Sequence, residues 1–240
     1  MAKLPSERDW QRSALLEPIP GPRHPELISD GGGLPFPPSA LAGEPSGLDE
    51  DEPAAAALLS HLISRAPKRG ARVRLKRAAG PPPPPASLAG WRELARSDDE
   101  VLFALGLPPR MLTAALRRSG RRRTWTFLGS SAARPLRVSQ DGIRASSWRP
   151  DPTHSPAPED TMVRLLITEQ AYASGRTAAG RVLPPEIYAD DEEVVLTVFV
   201  TPALGYQNGT PNPETPVRVA LPHSLGARRL VDGALPLTPA

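Results

Sequence analysis

The chain has 240 residues, of which 29 are basic, 26 acidic and 32 proline, with 39% hydrophobic and 5% aromatic content and no cysteine. So much proline and so few aromatics exclude packed core throughout. The missing cysteine excludes disulfide frameworks, thiolate catalysis and cysteine-ligated zinc or iron–sulfur sites, and it fits a reducing, cytoplasmic compartment. The net charge of +3 conceals an asymmetry, because residues 91–150 carry 12 basic and 5 acidic side chains while residues 151–240 carry 6 and 11. Such opposition suits mutual packing as well as an external partner.

From the N-terminus, no apolar run has signal-peptide length, and no later stretch approaches the roughly 20 apolar residues of a spanning helix, so no membrane span is expected. Residues 1–90 alternate short apolar fragments with Pro, Gly and charge, a composition that predicts a disordered, proline-rich segment. The exception is a helix over 54–64, with acidic Asp49 to Glu52 before it and basic Lys68 and Arg69 after it, as the helix dipole favours. It reads either as a transient helix in a tail or as a partner-docking helix. Arg69, Arg72, Arg74, Lys76 and Arg77 follow without an aromatic among them, which suits a solvated linker better than a single-strand binder. Pro81 to Pro85 form a stiff extended spacer, where a domain boundary is expected.

Beyond it the composition changes. Trp91 to Leu107 is apolar, and Met111 to Leu116 suits a strand or a short helix, the strand being favoured by Ser119-Gly120 as a hairpin turn before Thr124 to Leu128. Arg117, Arg118, Arg121, Arg122 and Arg123 then crowd one hairpin tip. They either protect a sheet edge or contact an anion such as a phosphate backbone. Gly129 to Ser131, Arg134-Pro135 and Gln140-Asp141-Gly142 read as turns around short strands at 135–138 and 143–145, with Trp148 capping a core. From Thr161 to Leu235, period-two alternation over 163–168, 194–201 and 217–221 predicts strands with one buried face. The fold class expected is mainly β: a single antiparallel, β-sandwich-like domain over 91–235, with 236–240 as a tail.

Arg134-Pro135-Leu136-Arg137, Ser146 to Pro152, Ile167 to Gly175, Asn212 to Pro216 and Arg229 to Gly233 resemble segments of an uncharacterised family of actinobacterial proteins, many of them secreted or membrane-tethered. The resemblance spans about 91–234 and leaves the first 90 residues uncovered. In the secreted relatives the counterpart of Tyr172 and a position near Gly209 are cysteines that pair. Here neither is cysteine, which agrees with a reducing compartment and removes a staple from the Asn208 loop. The family has no assigned activity, so the resemblance implies the extent of the domain and no chemistry.

Catalysis needs converging groups, and the four histidines are scattered over tail, linker and turn. A Ser130, His154, Asp151 arrangement lacks the Gly-x-Ser-x-Gly elbow. The acidic run at Glu186 and 190–193 lacks the interleaved spacing of a calcium loop, and Gly31 to Gly33 lacks the following helix of a phosphate loop. No enzyme, cofactor or metal is therefore expected. A noncatalytic interaction or structural module with an unknown protein partner is the leading expectation. Its contact surface would lie at Gly205 to Pro216 with Glu169, Gln170 and Tyr172, and would include Tyr206, Gln207, Asn208 and Asn212, because exposed tyrosine beside adaptable amides on a rigid sheet is good contact chemistry. The alternative is a nucleic-acid-associated protein that uses its arginine clusters.

Overall fold

The computed structural model describes residues 4–23, 25–45, 47–65, 87–108, 110–132 and 135–235. The basic run at 69–77, the proline run at 81–85 and the tail at 236–240 lie outside the described residues. The elements are helix α1 (Glu7–Arg12), strands β1 (Leu15–Leu16), β2 (Ile19–Pro20) and β3 (Ile28–Ser29), a 3-10 turn (Pro38–Leu41), helix α2 (Pro53–Arg65), and strands β4 (Trp91–Arg96), β5 (Glu100–Leu105), β6 (Leu112–Ser119), β7 (Thr124–Ala132), β8 (Arg137–Gln140), β9 (Ile143–Arg144), β10 (Ser147–Pro150), β11 (Met162–Thr168), β12 (Glu186–Ala189), β13 (Glu193–Thr197), β14 (Thr215–Ala220) and β15 (Arg229–Asp232). The protein is mainly β. No helix among the described residues is long and apolar enough to cross a membrane.

The chain divides into two compact units, one formed by Ser29–Leu136 and the other by Met1–Ile28 with Arg137–Ala240. Neither boundary falls at the proline run, and 91–235 is not one unit. In the Ser29–Leu136 unit, β4, β5, β6 and β7 form a four-stranded antiparallel sheet in sequence order. Trp91, Val101, Phe103, Ala114 and Leu116 pack with Ala54, Ala55, Leu58 and Leu62 of α2 in one buried cluster. Residues spaced as 54, 55, 58 and 62 share one helix face, and that face needs this sheet. Glu52 caps the helix by accepting from the Ala55 backbone N–H at 2.8 Å.

Residues 29–45 lie against the same sheet. A Cβ on Gly33 would meet Leu102 Cδ1 at 2.8 Å and Ala115 Cβ at 3.2 Å, so the absent side chain is what lets this backbone lie flat on the strands. Asp30, 1% exposed, accepts from the Thr113 and Ser131 hydroxyls and, at 2.9 Å, from the Gly32 N–H. At the other end Arg92 donates to the carbonyls of Leu41 and Ala42 at 2.9 and 3.2 Å. Gly129 to Ser131, expected as a turn, continues β7 instead, because Thr113 pairs with Ser131 and Ala115 with Gly129 across the ladder.

The second unit holds two four-stranded sheets, β1-β14-β11-β10 and β15-β13-β12-β2. Val163, Leu165, Ile167, Val217 and Val219 of the first and Ile187, Val194 and Leu196 of the second belong to one buried cluster. The N-terminal segment, expected to be disordered, adds an edge strand to each sheet. β1 pairs in parallel with β14, Leu15 opposite Arg218, and β2 pairs in parallel with β12, Ile19 opposite Glu186. Two-residue strands have no stability of their own; they form because sheets built elsewhere offer unpaired edges. Trp10 of α1 is buried beneath the Arg164 guanidinium, which sits 5.5 Å from its ring.

Five strands, not three, occupy Thr161 to Leu235. The run 194–201 does not stay in one ladder: β13 ends at Thr197, and Leu183 and Thr201 then hydrogen-bond across to Phe199 and Arg181 at 3.0 and 2.9 Å. Trp148 packs partly buried against the cluster and donates its indole N–H to the Leu196 carbonyl at 2.9 Å.

Candidate functional site

Beyond β11 the chain runs through Glu169 to Gly175, turning at Ser174 (φ 54°) and Gly175 (φ 73°). Glu169 is buried and fully engaged. Arg181 donates to its two oxygens at 2.7 and 2.5 Å and also to the Thr201 and Thr177 carbonyls at 2.7 and 3.1 Å. Bonding to Glu169 raises the Arg181 pKa above its ordinary value. This ion pair ties the start of the 169–176 stretch to the turn at Arg181 and, through Arg181, to the Thr201 carbonyl.

The 203–212 loop is then hydrogen-bonded onto that stretch. Asn212 accepts from the Ala173 N–H at 2.9 Å and donates to the Ala171 and Glu169 carbonyls at 2.5 and 3.2 Å. The Gln207 side-chain oxygen accepts from the Ser174 hydroxyl at 3.0 Å and from Arg176 at 3.3 Å. Its amide nitrogen donates to the carbonyls of Ala203, Leu204 and Gly205 at 3.2, 3.1 and 3.0 Å. The Asn208 N–H donates to Ser174 Oγ at 3.1 Å, and the Asn208 side chain accepts from the Thr210 N–H at 3.1 Å. Gly175 permits this approach, since a Cβ there would lie 3.1 Å from Thr210 Cγ2. Hydrogen bonds alone thus join the 169–176 and 203–212 stretches.

The seven residues expected to form a contact surface thus separate. Glu169 is buried in an ion pair, and Gln170 donates to Ser147 Oγ and the Thr168 carbonyl at 3.1 and 3.3 Å. Gln207, Asn208 and Asn212 shape the loop. Tyr172 and Tyr206 stand in solvent, 61% and 92% exposed, and so does Leu204, 93% exposed, which the sequence analysis missed. Its only sequence signal is an isolated leucine in the turn-rich stretch Pro202-Ala203-Leu204-Gly205, without periodicity to bury it.

The arginine tip also separates. Arg117 donates to Glu100 at 2.9 Å and Arg123 pairs with Asp99, so the start of β5 and the turn before it answer two of the five charges. The Arg118 guanidinium lies 4.8 Å from the Trp125 ring centroid, with that of Arg96 at 5.8 Å. Arg121 and Arg122 are exposed and have no acidic partner among the described residues. No family model, curated protein or solved structure matches this chain.

Proposed function

We propose that the chain is a noncatalytic interaction module that takes a protein partner on the 203–212 loop. The observation that carries it is the exposure of Leu204 and Tyr206 on a loop whose amides are spent on holding its own shape. A preorganised loop lowers the ordering cost of association, and a rigid tyrosine beside an aliphatic residue gives contact area at low entropy. In this reading the two sheets sharing the Leu165 and Leu196 core form a β-sandwich-like scaffold for the loop.

A photocrosslinking amino acid at position 206, with one at exposed Leu128 as control, tests this in lysate of the source cells. One discrete adduct should form from position 206, competed by excess native protein and not by a Leu204→Ala/Tyr206→Ala variant. No adduct, or the same adducts from both positions, overturns it.

The second reading, phosphate-backbone contact at the hairpin tip, is favoured by Arg121 and Arg122, which are exposed and have no acidic partner among the described residues. Retention on single-stranded DNA should then fall steeply with salt, and Arg121→Ala/Arg122→Ala should lower the log–log salt slope by about one to two. Unchanged retention in the variant leaves the tip as solvated edge protection.

A further inference from the structure

The hairpin of β6 and β7 carries three hydroxyl side chains at its tip, Ser119, Thr124 and Thr126, and they are not equivalent. Thr126 Oγ1 donates to the Arg117 carbonyl at 3.1 Å, so it accepts from Ser119 Oγ, 2.9 Å away. Both of those protons are spent inside the hairpin. Thr124 is exposed, and its hydroxyl has no hydrogen-bond partner among the described residues. It opens β7 opposite Ser119 in the last rung of the ladder. β7 is an edge strand, with β6 on one side and no strand on the other among the described residues. The turn that leads into it is strained: Arg123 stands at φ 48°, a left-handed conformation that is costly for any residue but glycine. An end rung beside such a turn opens more readily than the middle of the sheet. The sequence singles out the same hydroxyl. Thr124 is the only serine or threonine of the chain with arginine at both the second and the third position before it, here Arg122 and Arg121. Both arginines are exposed and have no acidic partner among the described residues.

We propose that Thr124 is a phosphorylation site for an arginine-directed protein kinase, one whose substrate groove sets carboxylates opposite Arg121 and Arg122. Kinases choose substrates by charge pattern, and opposite charges speed and orient the encounter. In the reaction Thr124 Oγ1 bonds to the γ-phosphorus of a nucleoside triphosphate, the bond from that phosphorus to the β-phosphate oxygen breaks, and nucleoside diphosphate leaves. The hydroxyl proton passes to the catalytic aspartate of the kinase. The product carries about −1.5 to −2 more charge at pH 7, which answers the two positive charges that the fold leaves unanswered at this tip. The inference rests on neither reading given above.

The full chain, with ATP labelled in its γ-phosphate, is added to lysate of the source cells and to the purified catalytic domain of an arginine-directed serine/threonine kinase. Tandem mass spectrometry should place the phosphate on Thr124 in both, with Ser119 and Thr126 unlabelled. Thr124→Ala should lose the incorporation and Thr124→Ser should keep it. Arg121→Ala/Arg122→Ala should lower kcat/KM for the purified kinase about tenfold, with the thermal midpoint unchanged because both side chains are exposed. Label that persists in Thr124→Ala, equal labelling of Ser119, or no phosphate on Thr124 in the lysate overturns the site. An undiminished rate in the double-arginine variant overturns the arginine-directed assignment.

Discussion

Gly233 follows β15 at a place where a Cβ would meet Val195 Cγ1 at 2.7 Å and collide with Thr197 Oγ1. Its N–H donates to the Leu196 carbonyl at 2.9 Å, so the backbone cannot withdraw without losing that bond. Gly233→Ala should destabilise by about 1–3 kcal/mol, the usual cost of overpacking, and thermal unfolding should report it as a drop of several degrees. Gly129, where nothing lies within 4 Å of the missing Cβ, is the control, and Gly129→Ala should leave the midpoint unchanged or slightly raised. Glu186 gives a pH-dependent test. Burial raises its pKa above the ordinary 4.5, partly offset by a hydrogen bond from Gln140. The folded state therefore holds the proton more tightly than the unfolded chain, and the residue's contribution to stability is lost as pH rises from below 4.5 through the folded value. Glu186→Gln, which keeps an acceptor for Gln140, should melt higher than the native chain at pH 7, with the advantage disappearing at pH values below the ordinary glutamate pKa. A difference independent of pH would show that burial of the charge is not its cause.

At the scale of elements, the Asn212 amide donating to the Ala171 carbonyl and accepting from the Ala173 N–H, and the Asn208 N–H donating to Ser174 Oγ, bring the 207–212 loop against the 171–175 turn. That neighbourhood invites an engineered crosslink. With Tyr172→Cys and Gly209→Cys introduced together, oxidation should raise stability by roughly 3 to 4 kcal/mol, strain permitting, because it closes a long loop in the unfolded chain. Failure to bridge under oxidising conditions would mean that the α-carbons stand farther apart than about 7 Å. Asn212→Ala is the complementary loss. It removes three hydrogen bonds that hold the loop, so limited proteolysis should nick 203–212 faster in the variant while the global midpoint moves little.

For the whole molecule, the division into units predicts which pieces fold alone. The Ser29–Leu136 unit contains its own sheet, its covering helix and its buried Asp30 network, so expressed by itself it should unfold in one cooperative transition. Residues 151–240 lack β1, β2 and β10, all of which are edge strands of the two sheets they would need. That fragment should aggregate, since unpaired edges beside an apolar core are templates for association. A sharp transition from 151–240, or none from 29–136, would contradict the division.

Read by itself, the sequence determined the local patterns that depend on near neighbours. Alternation at 163–167 and 217–221 fixed strands because period two admits one buried face. Ser119-Gly120 marked a hairpin because its glycine supplies the positive φ, here 72°. The apolar run from Ala54 to Leu59 with Leu62 and Ile63, set between acidic and basic flanks, marked a helix. What tertiary structure alone decided is where weak segments find partners. Leu15-Leu16 and Ile19-Pro20 carry no strand signal worth reading, and they pair because β14 and β12 present edges to them. Gly31 to Gly33 looks like linker until Leu102 and Ala115 show how closely the backbone at Gly33 approaches the sheet. The fate of Glu169 and Asn212 was equally hidden, because whether a polar side chain faces a partner or its own backbone depends on residues 12 and more than 40 positions away. Distances of that kind are set by the closed fold and leave no trace in local composition.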